Sequence, residues 1–198
     1  REKLFLTNSK TNELMRFSAS GKLEQSVKLG NYPMSMMAVG DKLYVVNYKD
    51  TVLSVVDIAS LQLVDEWAIP HDSHGLLVKE EEQELWLGGH GAGSTPNTTV
   101  RILDLVTGQE KGTLYAPMMP IGFAVNEISG EVGIISHGNS SLYVFDASKE
   151  VKVAKQIGAN PFAVANIDGV FAIAGYDDNT LYLVENGEVT SECATLDG

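Results

Sequence analysis

Apolar and polar residues alternate along this chain in short runs, and the runs recur in a fixed order. Leu43-Tyr44-Val45-Val46-Asn47 ends on a polar residue, and Val52-Leu53-Ser54-Val55-Val56-Asp57 follows it and ends on an acid. The same order returns from Leu85-Trp86-Leu87 to Asp104, from Val132-Gly133-Ile134-Ile135-Ser136 to Asp146, and from Val170-Phe171-Ala172-Ile173 to Glu185. Those acids fall 47, 42 and 39 residues apart, the span of one four-stranded propeller blade. The periodicity predicts an all-β chain, a β-propeller of about five four-stranded blades.

Turn residues divide each repeat into four strands. The second repeat gives Met34 to Val39, Leu43 to Asn47, Val52 to Asp57 and Leu63 to Ile69. The fourth gives Ile121 to Asn126, Val132 to Ser136, Leu142 to Asp146 and Val151 to Ile157. The fifth gives Phe162 to Ile167, Val170 to Ala174, Leu181 to Glu185 and Glu188 to Leu196. Pro33, Pro120 and Pro161 stand at the start of three inner strands, where a fixed φ is tolerated and no ladder donor is needed; the third repeat has Ser73-His74-Gly75 there. The first repeat starts directly at its second strand, Leu4 to Asn8, so nineteen strands are expected. The repeats run over about 1–30, 31–70, 71–117, 118–158 and 159–198 of a single domain. Such a chain is either a five-bladed ring short of one strand or part of a larger, seven-bladed ring, and the second is favoured. In the larger ring, further residues, another chain or self-association would cover the exposed edges.

Phe5-Leu6-Thr7-Asn8 and Tyr44-Val45-Val46-Asn47, together with the Pro-x-small openings and the acid after each third strand, resemble the YVTN family of β-propellers. Trp86-Leu87-Gly88-Gly89 and Phe171-Ala172-Ile173-Ala174 match it loosely. The resemblance covers the whole chain and implies a propeller fold and a bacterial or archaeal, extracytoplasmic setting (periplasmic, cell-surface or secreted). It does not imply one activity, because propellers host many.

Composition narrows the partners. A net charge of −12, with 14 Lys and Arg that do not cluster, argues against nucleic acid. No apolar run approaches the ~18 residues of a membrane span, and no leader pattern stands at the start. A chain opening on Arg1 reads as a processed protein or a piece of a longer one. Cys193 is alone, so cysteine pairing says nothing of the compartment. Asn97-Thr98-Thr99 and Asn139-Ser140-Ser141 are glycosylation triplets that would matter only in a secreted eukaryotic protein.

Candidate chemistry gathers on the loops. Propeller topology puts the link into each inner strand, and the loop after each second strand, on the same face. His71 and His74 lie in the link into the third repeat, while His90 and His137 follow second strands at equivalent positions. The loop Gly89 to Asn97 is also about five residues longer than its counterparts, and long glycine-rich loops on a regular scaffold tend to carry function. One reading is a Zn²⁺ or Cu²⁺ site made by His74, His90 and His137, with His71 in support and Asp72 as ligand or orienting partner. The other has these histidines satisfying buried polar groups or facing solvent. His74-Gly75 resembles, over two residues, periplasmic zinc-carrying propellers. Propeller lyases that use a histidine beside Mg²⁺ offer an enzymatic parallel.

The remaining candidates read mainly as structure. Asp177-Asp178 beside Tyr176 is an acidic rim or a solvated turn, and Glu80-Glu81-Glu82 a solvated turn that blunts edge pairing. Met34, Met36, Met37, Met118 and Met119 fill gaps near the axis or form a soft copper site. Trp67 and Trp86 pack between sheets, and Asp57, Asp104 and Asp146 recur because the turn after the third strand uses an Asx-type bond. No nucleophile elbow, phosphate-cradling loop or haem motif is present. No catalytic residue is therefore assigned. The leading expectation is a non-enzymatic binding platform for a protein, glycan or small ligand. A metal carrier comes second and a metal-assisted lyase third.

Overall fold

The computed structural model describes residues 2–92 and 94–195. Leu196, expected to end the last strand, lies outside the described residues, as do Arg1 and Gly93 of the long loop. The architecture is all-β, a β-propeller series of blade-like antiparallel sheets. Nineteen strands occur among the described residues, and the one helical element is a single 3₁₀ turn at His137–Asn139.

The first sheet has three strands, β1 (Lys3–Asn8), β2 (Glu13–Ser18) and β3 (Leu23–Lys28), in that order. The other four sheets have four strands each. The second comprises β4 (Pro33–Val39), β5 (Lys42–Asn47), β6 (Val52–Asp57) and β7 (Gln62–Ala68). The third comprises β8 (Ser73–Lys79), β9 (Glu84–Gly89), β10 (Thr99–Asp104) and β11 (Glu110–Tyr115). The fourth holds β12 (Pro120–Val125), β13 (Val132–Ser136), β14 (Ser141–Phe145) and β15 (Val151–Gln156). The fifth holds β16 (Pro161–Ile167), β17 (Val170–Gly175), β18 (Thr180–Glu185) and β19 (Glu188–Ala194). Every sheet keeps its strands in chain order. The sequence-derived strands agree to within one or two residues, the usual latitude of strand ends.

The chain groups into two compact units, Arg1–Leu87 with Leu103–Lys111, and Gly88–Ile102 with Gly112–Gly198. In the first unit, β5 shows why its run is apolar throughout. Successive side chains point to opposite faces of a strand, and here both faces are covered. Leu43 and Val45 pack with Leu14, Val56 and Leu61, whereas Tyr44 and Val46 join Leu53, Val55, Leu85 and Leu87. Each such burial stabilises by about 1.5–3 kcal/mol. Trp67 belongs to the second of these clusters, with its ring 5.4 Å from that of Tyr44. Trp86 is fully buried, and its Nε1–H donates to the buried Glu84 carboxylate at 2.9 Å. Met36 and Met37 fill gaps against these two clusters, and Met37 Sδ accepts from Val78 N–H.

In the second unit the corresponding cluster joins Ile135, Leu142 and Val144 to Phe171, Ile173 and Val184. Glycine at 133 and 122 admits the close approach: a Cβ on Gly133 would lie 2.5 Å from Phe171 Cε1, and one on Gly122 2.7 Å from Ile135 Cγ1.

The recurrent acids do the work expected of Asx turns. Asp57 Oδ1 accepts from Ser60 N–H and Oγ–H at 2.7 and 2.6 Å. Asp104 Oδ1 accepts from Val106 N–H, Thr107 N–H and Thr107 Oγ–H, and Asp146 Oδ1 from Ser148 and Glu150 N–H. Lys79 meets Glu82 at 2.6 Å, so the Glu80 to Glu82 turn is partly paired as well as solvated. Among the described residues no helix is long and apolar enough to cross a membrane.

Candidate functional site

One local geometry recurs where each inner strand begins. The preceding residue is left-handed in four sheets: Tyr32 (φ 61°), Asp72 (φ 58°), Met119 (φ 60°) and Asn160 (φ 49°). This conformation is unfavourable for a non-glycine residue, and more so before proline. In three of these sheets a backbone bond from the loop after the second strand holds it in place. Tyr48 N–H donates to Tyr32 C=O at 2.9 Å, His137 N–H to Met119 C=O at 3.0 Å, and Tyr176 N–H to Asn160 C=O at 3.1 Å. A side chain adds a second tie in two sheets, where Asp50 Oδ2 accepts from Asn31 N–H and Asp178 Oδ2 from Ala159 N–H. The loop after a second strand and the link into the inner strand are thus clamped together.

In the second unit four rings form a series, in which His137 and Tyr176 stand at clamps. The His90 and His137 centroids are 6.0 Å apart and edge-on, those of His137 and Phe162 6.1 Å apart, and those of Phe162 and Tyr176 5.8 Å apart. These spacings fall within the 4.5–7 Å of favourable aromatic pairs. His90 and His137 are half-buried, whereas Phe162 is 43% and Tyr176 68% exposed. His137 Nδ1 lies 3.3 Å from the Pro161 carbonyl; a carbonyl accepts only, so Nδ1 carries the proton and Nε2 keeps its lone pair in the neutral ring. The long loop folds on itself: Asn97 N–H donates to His90 C=O at 2.9 Å and Thr95 N–H to Ala92 C=O at 3.1 Å. Gly91, at φ 88°, has no space for a Cβ between Thr95 O and Asn97 N.

The first unit carries its own rings. Tyr32 and Tyr48 have centroids 6.0 Å apart, Tyr48 meets His74 edge-on at 6.1 Å, and Lys49 Nζ sits 4.7 Å over Tyr32. His74 is buried at 8% exposure. His71 is exposed, and its Nδ1 lies 2.8 Å from Asp72 Oδ2.

Of the four histidines, the structure shows His90 and His137 side by side. Among the described residues no three His, Cys, Asp or Glu side chains stand where they could hold one metal ion. Asp178 proves to be a clamp rather than a free acid. Burial works to raise its carboxyl, yet donation from Tyr182 Oη–H at 2.7 Å and from the Ala159 and Thr180 amides holds it below the usual aspartate value. Both glycosylation-triplet amides are engaged: Asn97 Nδ2 donates to Thr99 C=O and Asn139 Nδ2 to Tyr143 Oη.

Sorting by residue type picked out histidine and passed over Tyr48, Phe162 and Tyr176. The signal was positional. Asn47-Tyr48-Lys49-Asp50, Gly89-His90-Gly91-Ala92, Ser136-His137-Gly138-Asn139 and Gly175-Tyr176-Asp177-Asp178 align after the second strand, with a ring at the second place each time.

No protein-family model matches the sequence, and no curated protein matches it. Among solved structures, a functionally unknown protein from Desulfotomaculum acetoxidans DSM 771 is similar over 100% of this chain and 67% of that one, with a TM-score of 0.81 and 12% identity. At that identity the likeness bears on the fold alone.

Proposed function

We propose that this chain is a non-enzymatic β-propeller binding platform, and that the ring series His90, His137, Phe162 and Tyr176 is its contact surface for a protein or glycan partner. The exposure of Phe162 and Tyr176 at the outer end of a series with clamps at His137 and Tyr176 supports this reading. Exposed, rigidly held aromatic residues bind at low cost in side-chain entropy and dominate contact energies. The resemblance to YVTN repeats adds an extracytoplasmic location, which cell fractionation checks. The test of the platform is capture: immobilised wild-type chain against its source extract and a glycan array, beside the Phe162→Ala/Tyr176→Ala variant. A partner held equally by both proteins would exclude this surface.

A second reading, a Zn²⁺ or Cu²⁺ carrier, is favoured by the adjacency of His90 and His137 and by the lone pair on His137 Nε2. Two imidazoles leave the remaining ligands to water or a partner. Calorimetric titration with either ion should then give a binding signal that the His90→Ala/His137→Ala variant lacks; an unchanged signal removes this reading.

A further inference from the structure

Matching rows of the second and fourth sheets carry different side chains. Tyr44, Val55 and Asp65 form one row across β5, β6 and β7, and Gly133, Val144 and Val153 form the equivalent row across β13, β14 and β15. In the first unit, two rings fill the space beside this row. Tyr44 Oη–H donates to Leu105 C=O at 3.3 Å, and a Cβ on Gly108, in the β10–β11 turn, would lie 2.4 Å from the Trp67 ring. In the fourth sheet Gly133 takes the place of the tyrosine, and β15, Val151-Lys152-Val153-Ala154-Lys155-Gln156, has no aromatic residue. Phe171 enters the gap against Gly133, and a cleft of about 290 Å³ remains between the fourth and fifth sheets.

Val144, Val153 and Phe171 form the apolar side of this cleft, and Asn126, Glu131 and Lys152 form much of its polar side. Asn126 is 7% exposed, and its Oδ1 accepts from Ile128 and Ser129 N–H. The oxygen is thus committed to the β12–β13 turn, which leaves Nδ2 as a donor. That nitrogen is 3.8 Å from where a Cβ on Gly169, in the fifth sheet, would stand. Lys152 Nζ meets Glu131 Oε1 at 2.7 Å, and Glu131 Oε2 accepts from Ser129 Oγ–H at 3.0 Å.

These groups select among ligands. Glu131 and Lys152 neutralise each other, so a charged ligand would have to part them. Hydroxyl groups donate and accept at once, and can use the remaining lone pairs and N–H bonds without separating the charges. The volume is near the lower end of the ~300–1,000 Å³ of small-ligand sites, room for one ring rather than a chain. We propose that this cleft binds a neutral polyhydroxyl ligand the size of one sugar ring. Asn126 Nδ2 and Lys152 Nζ donate to its hydroxyl oxygens, Glu131 accepts from its hydroxyl groups, and its C–H face lies against Val153 and Phe171. The cleft is at the end of the sheets that carries the β12–β13, β16–β17 and β18–β19 turns. The loops of the ring series are at the other end, so the site is separate from the contact surface proposed above and does not depend on it.

Saturation-transfer NMR on the full chain tests this with glucose, galactose, mannose and xylose as neutral probes, and glucuronate and glucosamine as charged ones. At least one neutral sugar should bind with a Kd of about 1–10 mM, and the charged ones more weakly. Asn126→Asp keeps the acceptor of the turn and loses the Nδ2 donor. Lys152→Met removes the ammonium from a side chain that is 53% exposed, with little demand on the fold. Each should weaken binding roughly tenfold, while Phe162→Ala/Tyr176→Ala should leave it unchanged. No binding of any neutral sugar, equal binding of the charged ones, or binding untouched in both cleft variants overturns the proposal. So does a loss confined to the Phe162→Ala/Tyr176→Ala variant, which would put the sugar on the ring series instead.

Discussion

Gly133 lies against the Phe171 ring, with room for a hydrogen and not for a methyl group. A Cβ placed there would approach Cε1 at 2.5 Å and Cδ1 at 2.8 Å. Both residues are paired within strands, so neither backbone can retreat without disturbing a ladder. Gly133→Ala should therefore cost about 1–3 kcal/mol, the usual penalty of overpacking. For a chain of this length that lowers the melting temperature by about 2–4 °C per kcal/mol. Phe171→Leu, destabilising alone, should partly rescue Gly133→Ala in a double-mutant cycle. Additive losses would show that the ring is not what excludes the methyl.

The aspartate turns predict a particular response to acid. Asp57 is held below the ordinary aspartate value of 3.8 first by the Ser60 hydroxyl, and Asp104 first by the Thr107 amide. A carboxyl with a depressed folded-state pKa binds more protons when unfolded, so its contribution is present above the unfolded value and lost as pH falls through the folded one. Asp57→Asn/Asp104→Asn keeps an acceptor oxygen in each turn but removes the charge. Wild type should exceed this variant in denaturant midpoint at pH 7, and the two curves should converge below pH 3.8. A gap that stays constant down to the acid limit would assign the difference to geometry instead of charge.

Asp178 and Tyr182 report on the clamp of the fifth sheet. The phenol is raised above its ordinary 10.0 first by donating to Asp178 and then by burial. Asp178→Ala removes the acceptor shared by Tyr182 and Ala159 N–H, at an expected cost of about 1–3 kcal/mol. Tyr182 should then titrate closer to 10.0, measured as the difference in alkaline ultraviolet titration between Asp178→Ala and Asp178→Ala/Tyr182→Phe. An unmoved Tyr182 would deny the pairing.

The strands were legible because a residue buried on both faces and a turn that needs an acid leave periodic marks. Leu43 to Asn47 and Val132 to Ser136 could be placed almost to the residue. The ring series left a fainter mark, a ring of varying type at the second place of each loop after a second strand. Its geometry depends on Met119 and Asn160 being left-handed immediately before proline, where local preference runs the other way. The bonds from His137 and Tyr176 help to hold that conformation, and they join segments some sixteen or more residues apart. Histidine drew the sequence reading by its chemistry, whereas the site is defined by position, which tyrosine fills as readily.

Leu4 and Leu43 occupy matching places in β1 and β5, and their mutants should differ accordingly. Leu43 is enclosed with Leu14, Val56 and Leu61, so Leu43→Ala leaves a cavity and should cost about 2–5 kcal/mol. Leu4, at 62% exposure, has little to lose, and Leu4→Ala should stay within about 0.5 kcal/mol of wild type. Chemical denaturation of both variants, at two protein concentrations, makes the comparison. A loss at Leu4 as large as that at Leu43 would mean its face is covered in solution. Dependence of that loss on concentration would identify the cover as a second copy of the chain, because self-association alone ties stability to protein concentration in a purified sample.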